Sequence, residues 1–287
     1  MVEQPSERPP ERLDPAVHVT LQAVEAPHEP DIVIGSREQL LYLLAEAAEI
    51  EHTLMCSYLY AVFSLKPATE SGFLEREVKA IERWRKTIMG VAIEEMGHLL
   101  SVSNLMVAIG GRSHFTRPNF PVSPGYFPSG VVLQLTPFSF DTLDHFIFLE
   151  RPTGVERADG EGFESIDQER TQAHQGLMPS AQDYVTVSHL YEAIRANLVT
   201  FIERSGPEAL FVGPVGGQIG PDIVKMQGIE TINSLDSAGH AIDLIIEQGE
   251  GSPVEREDSH YQRFLGISRR FSSDLTSSCT WRFSARP

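Results

Sequence analysis

Basic side chains are scarce in this sequence. Lys and Arg number 23 against 40 Asp and Glu, which leaves a formal net charge of −17. That surplus argues against nucleic acid or an anionic membrane surface as partner. Cysteine is rarer still, with Cys56 and Cys279 the only two. Two thiols so far apart make no disulfide framework, and the expectation is a reducing cytoplasm. Long apolar runs are missing. No stretch reaches the roughly 18 residues that would suggest a membrane span. The opening MVEQPSERPPERLDP lacks the apolar h-region of a secretory signal. Phosphate-binding glycine patterns are missing too. VGPVGGQIGP (212–221) has neither Walker nor dinucleotide spacing, and no strand is evident before it.

What is present is helical periodicity. With 287 residues, 41% of them hydrophobic, the chain is long enough for one large domain with a substantial core. Prolines at 5, 9, 10, 15, 27 and 30 mark residues 1–30 as a flexible tail, with one short extended piece at 17–24. Ser36 then opens a first helix, with Gln39 completing a capping box, and it runs to about 65 before Pro67. Its stripe is Leu40, Leu44, Ala47, Glu51, Leu54 and Tyr58. Glu51 stands where a core residue belongs, whereas Glu46 and Glu49 fall on solvated faces. A second helix spans about 73–109 and ends at Gly110-Gly111. Its stripe is Trp84, Ile88, Val91, Glu95, His98, Val102 and Leu105.

Glu95 and His98 are the strongest signal. Three residues apart, they project side by side from an inward face. A buried carboxylate costs several kcal/mol unless something neutralises it. A divalent cation does so directly, and Glu-x-x-His on an inward face is a half-site of dimetal bundles.

The pattern changes over 112–180. Five prolines between 118 and 137 exclude a long helix, 131–139 reads as a strand or extended segment, and 141–150 as a short helix. This excursion is the crossover between the second and third bundle helices and a candidate lid. Its aromatics Phe115, Phe120, Tyr126 and Phe127 suit an apolar pocket, and Arg112 or Arg117 could hold a substrate carboxylate. A third helix, about 182–204, places Val185, Ser188, Glu192, Arg195 and Val199 on one face. A fourth, about 228–248, has Asp243, Glu247 and Glu250 beside its apolar stripe, and 259–267 is a fifth short helix. Residues 31–267 thus form the domain, and 268–287 a C-terminal tail.

Each acidic candidate has an ordinary alternative. Glu95 can pair with an arginine and His98 can be a hydrogen-bonded core histidine. Glu192 can pair with Arg195, and Glu247 and Glu250 can solvate a helix end. His52 is structural, and His240 is either structural or a support behind the ligands. The combination favours metal, because carboxylates from four helices would repel one another in a dry interior unless cations held them.

The segments LLYLLAEAAEIEHTLMCSYLYAVFS, EEMGHLLSVSNLMVAIGG, TVSHLYEAI and IIEQGEGSP…SHYQRF resemble the ferritin-like domain of the imine-dimer synthases of bisindole pathways (violacein, rebeccamycin and staurosporine types). The similarity covers about residues 36–267. It implies an all-α, four-helix ferritin-like bundle with two irons per chain, manganese being the other metal the same donors accept. Carried over residue by residue, it implies Glu51, Glu95, His98 and Glu192 as ligands, with Glu247 or Glu250 and His260 from the end of the fourth helix. From its own place on the Glu51 stripe, Tyr58 could stand near the metals or be simply a core aromatic. A second Glu-x-x-His on the fourth helix, usual in ferritins, is missing. Those synthases also carry a long additional region, so a stand-alone member is expected and indole-imine coupling is not transferred.

The functional expectation is a di-iron oxidase or oxygenase of secondary metabolism. Its partners are dioxygen and a small organic substrate such as an amino or imino acid derivative, and a homo-oligomer is compatible with it. The rivals are a ferroxidase or peroxide scavenger, and a metal-free interaction bundle.

Overall fold

Ser36 opens α1 (Arg37–Ser64) as its spacing predicts: its hydroxyl accepts from Gln39 N at 3.3 Å. Gln39 closes the box one residue further out, accepting from Gly35 N at 2.6 Å. At the other end Arg85 of α2 (Glu75–Ala108) donates to the carbonyls of Val62, Leu65 and Lys66 at 3.1, 2.9 and 3.1 Å. These carbonyls lie at and just past the helix end, where the intrahelical ladder runs out. The computed structural model describes residues 32–66, 73–115, 119–122, 131–164, 184–250 and 258–274. The expected tail at 1–30, with its extended piece, falls outside them.

The remaining helices are α3 (Phe140–Leu149), α4 (Val187–Ser205), the single turn α5 (Pro207–Leu210), α6 (Leu235–Gly249) and α7 (His260–Asp274). The long pair α1 and α2 packs together, α4 packs on α6 and on α1, α7 packs on α2, and α3 packs on α7. α1, α2, α4 and α6 are the four-helix bundle. None of the described helices is long and apolar enough to cross a membrane.

Four elements differ from their sequence-based expectation, the first being the third bundle helix, which starts at 187 after the N-cap Thr186 and not at 182. The segment 131–139 makes only one bridge, Val122 to Leu133, and no strand forms among the described residues. Pro137 interrupts it, and Ser139 is already the N-cap of α3. The fourth bundle helix starts at 235, not 228. Gly228 has φ +73°, and Gln218 clamps the backbone ahead of the helix, donating to Ile232 O at 2.7 Å and accepting from Ile232 N at 2.6 Å. The fifth helix runs on to Asp274 because Phe264 and Phe271 are both core residues. Phe271 stacks on Trp84 at 4.7 Å, and Phe264 meets Tyr58 at 5.2 Å.

Asn104 does for the loop before α6 what Gln218 does. Buried on α2, it donates to Ile219 O and Glu230 O at 2.8 and 3.0 Å and accepts from Ile219 N at 2.9 Å. Asn104→Ala strands three backbone groups, at about 1–3 kcal/mol for each one left unsatisfied. Urea unfolding is expected to register about 2–4 kcal/mol, water taking up part of the loss.

Candidate metal centre

Two helices bring the first three groups together. Glu51 from the middle of α1 and Glu95 and His98 from α2 are all buried. His98 Nδ1 lies 3.0 Å from Glu95 Oε2 and 3.3 Å from Glu51 Oε2. A second triad lies on the other side of the same carboxylate. His260, the first residue of α7, places Nδ1 2.9 Å from Glu95 Oε1 and 3.5 Å from Glu150 Oε1. Within each triad, one ligand atom per residue lies within 4.8 Å of the others. Glu95 therefore turns one oxygen to each triad, and the two imidazoles face each other 5.5 Å apart.

An outer layer fixes these groups. Tyr191 of α4 donates to Glu51 Oε1 and Tyr58 of α1 to Glu150 Oε1, each at 2.5 Å. Burial, then the adjacent carboxylates, push both phenols well above their ordinary range, so both stay neutral donors. His98 Nε2 meets Gln248 Oε1 at 2.9 Å, and His260 Nε2 meets Glu94 Oε2 at 2.9 Å.

The charges are strongly coupled. Burial pushes Glu51 up and the Glu95 charge adds to it, reaching about 8. Burial pulls His98 down, but Glu95 and Glu51 outweigh it and carry it to about 10. Glu95 itself is held well below the carboxylate range, because His98 and His260 overcome the effect of burial. Without metal, two imidazolium groups share one anion.

The donor set could hold metal. Carboxylate oxygen and imidazole nitrogen suit iron and manganese. The buried Nδ1 of His260 lies 2.9 Å from Glu95 Oε1 but off the line of a hydrogen bond. An imidazole nitrogen aimed at a carboxylate without bonding to it is placed for a third atom between them.

Loading must displace protons, which sets a pH dependence. A folded value of about 10 for His98, against 6.5 unperturbed, means its proton stabilises the metal-free fold fully below 6.5. That contribution is lost as pH rises through 10. Glu51 likewise holds a proton below about 8. Metal competes with these protons, so affinity rises with pH, more steeply below about 8 than between 8 and 10. Chelator-competition titrations with Mn2+ at stepped pH are expected to give at least about tenfold per unit over the steeper range.

Of the sequence candidates, Glu51, Glu95, His98 and His260 meet here. Glu192 does not; it lies on the exposed face of α4, and its neighbour Tyr191 points inward. Glu247 is likewise exposed. Glu250 is buried and lines the same cavity, but its oxygens cap α4, accepting from Ser188 N at 2.9 Å, from the Ser188 hydroxyl and from Thr153 N at 3.1 Å. Burial, partly offset by these bonds, raises it to about 7. Asp243 pairs with Arg195, and His240 is exposed. Glu46 and Glu49 are half-buried, accepting from Tyr184 at 2.9 Å and bonding to His114 at 2.7 Å. Phe115 and Arg112 are exposed, and Arg117, Tyr126 and Phe127 lie outside the described residues. Sequence reasoning missed Glu150; the only signal was a carboxylate ending the apolar run Phe146–Leu149.

A family model described as ferritin-like matches residues 44–269. The chain belongs to the ferritin-like family. Dichlorochromopyrrolate synthase of Lentzea aerocolonigenes is 27% identical to this ferritin-like chain over 273 residues, covering 82% of it and 25% of the synthase. The 2-imino-3-(indol-3-yl)propanoate dimerase of Chromobacterium violaceum is 26% identical over 269 residues, covering 83% of the chain and 24% of the dimerase. The chain thus spans about a quarter of the length of these enzymes. A ferritin-like protein from Caulobacter vibrioides, solved at 1.95 Å, superposes with a TM-score of 0.51 at 20% identity, over 82% of this chain and 73% of that one. That match supports the ferritin-like fold alone.

Proposed function

We propose that this protein is a non-haem dimetal oxidase or oxygenase, holding two irons and acting on a small organic substrate of the amino or imino acid type. The single observation that carries the reading is the Glu95 carboxylate, shared between two buried Glu/His triads. Glu51, Glu95 and His98 would hold one ion, and Glu95, Glu150 and His260 the other. Redox-active ions bound there would supply the electrons that reduce dioxygen.

The protein groups do the rest. Tyr191 and Tyr58 fix the outer oxygens of Glu51 and Glu150 and keep their own protons on Oη. Gln248 and Glu94 orient the imidazoles, as groups behind metal-bound histidines do. Glu250, raised to about 7 on the cavity wall, can hold or give up a proton near neutrality. The cavity against the triads is about 20 Å³, room for roughly one water. An organic molecule fits instead in a cleft of about 310 Å³ between α2 and the loop before α6. Ile93, Met226 and Leu244 line it, with Lys225 and Gln227, and it reaches His98 and Gln248. Glu94 also lines the cleft but is paired with Arg263, so Lys225 among the apolar walls suits a substrate that carries a carboxylate.

The tight inner cavity favours a second reading, iron handling, in which only dioxygen or peroxide reaches the centre. Iron analysis and oxygen uptake separate the two. About two irons per chain, with oxygen consumed only when organic substrate is added, is the expected result. Uptake driven by Fe2+ alone points to iron handling. Absence of metal, with stability unchanged on chelation, removes both and leaves an interaction bundle.

A further inference from the structure

The two halves of the centre are alike in their inner groups. Each has one buried glutamate of its own, one imidazole presented through Nδ1, one oxygen of Glu95 and one tyrosine hydroxyl on the outer glutamate. They differ behind the imidazoles. His98 Nε2 meets a neutral amide, Gln248 Oε1. His260 Nε2 meets a carboxylate, Glu94, which Arg263 grips from the far side through both terminal nitrogens.

We propose that the halves are unequal in affinity, and that the Glu95–Glu150–His260 half fills first. This rests on the dimetal reading above. When an imidazole gives its Nδ1 electron pair to a cation, positive charge builds on the ring. A carboxylate accepting the Nε2 proton stabilises that charge more than an amide does. A second difference acts in the same direction. His98 Nδ1 is hydrogen-bonded to Glu95 Oε2, so an ion entering there must break that bond. His260 Nδ1 lies 2.9 Å from Glu95 Oε1 outside hydrogen-bond geometry, so an ion entering there displaces an ion-pair contact but no aligned hydrogen bond. The first ion also neutralises part of the shared Glu95, which weakens the second site further.

Titration of the metal-free protein with Mn2+, followed by electron paramagnetic resonance, tests the order. Two steps are expected, separated by more than the statistical factor of two identical sites, with the spectrum of an isolated ion before that of a coupled pair. Glu94→Gln should weaken the first step by about 10–100-fold and leave the second near its original value. Gln248→Glu should tighten the second. His260→Ala should abolish the tight step, and His98→Ala should spare it. Glu94 is only partly buried, so its variant reports without disturbing the core, and circular dichroism checks the histidine variants.

Two indistinguishable affinities, or loss of the tight step in His98→Ala but not in His260→Ala, would overturn the proposal. A Glu94→Gln variant that leaves the first step unchanged would do the same. Failure of the dimetal reading itself looks different: no Mn2+ bound at either step.

Discussion

Glu95→Gln is expected to empty both halves of the centre. Every other candidate ligand belongs to one triad; Glu95 belongs to both. The amide keeps the shape but loses the charge and one acceptor oxygen, so one ion loses its Glu95 ligand and the other keeps only a neutral carbonyl oxygen. The loss per ion should exceed the roughly 10–100-fold that follows removal of a merely supporting residue. Metal analysis of purified protein should fall from two ions per chain to near none, with oxygen uptake falling in parallel. The variant should also weaken the metal-free protein. The carboxylate compensates two buried imidazolium groups, at 3.0 and 2.9 Å. Removing one partner of a buried charged pair costs about 3–5 kcal/mol. Urea unfolding of metal-free wild type and variant at neutral pH measures it. A neutral centre that left stability unchanged would mean the imidazoles are uncharged in the fold.

How far the centre could be read beforehand depends on the local geometry around each residue. On α1 and α2 the stripe is long and regular, so a carboxylate or imidazole within it stands out, and Glu51, Glu95 and His98 follow from spacing. On α4 the same reasoning slips by one residue. From Ser188, steps of three and of four both stay near one helix face, and the step of four leads to Glu192. The buried positions are Ser188, Tyr191, Ile194 and Leu198, so the inward group is a phenol and not a carboxylate. Glu150 follows the last residue of a ten-residue helix, where periodicity has run out. Its role depends on Tyr58, 92 positions away, and on His260. The late start of α6 has the same origin. The side chain of Asn104, 126 positions from Glu230, and that of Gln218 hold residues 228–232 out of the helix expected over them. Contacts of that range leave no trace in a periodicity.

Phe264→Ala should separate the two triads through the fold. Phe264 is fully buried one helical turn after His260, with its ring 5.2 Å from Tyr58 and 5.5 Å from Phe146. Truncating such a ring costs about 3–5 kcal/mol, and at roughly 2–4 °C per kcal/mol for a chain of this size the melting temperature should drop visibly. The cavity lies directly under the turn that carries His260, so the first turn of α7 loses its seat. Metal content should fall toward one ion per chain, because Glu51, Glu95 and His98 are held by α1 and α2 alone. Phe271→Ala is the matched control. It removes an equally buried ring from the far end of the same helix, where Phe271 stacks on Trp84 at 4.7 Å. That end is about 16 Å from His260 by helical rise. A similar loss of stability with both ions retained is expected there. Equal metal loss in the two variants would mean that ions leave because the bundle loosens as a whole, and not because His260 has lost its position.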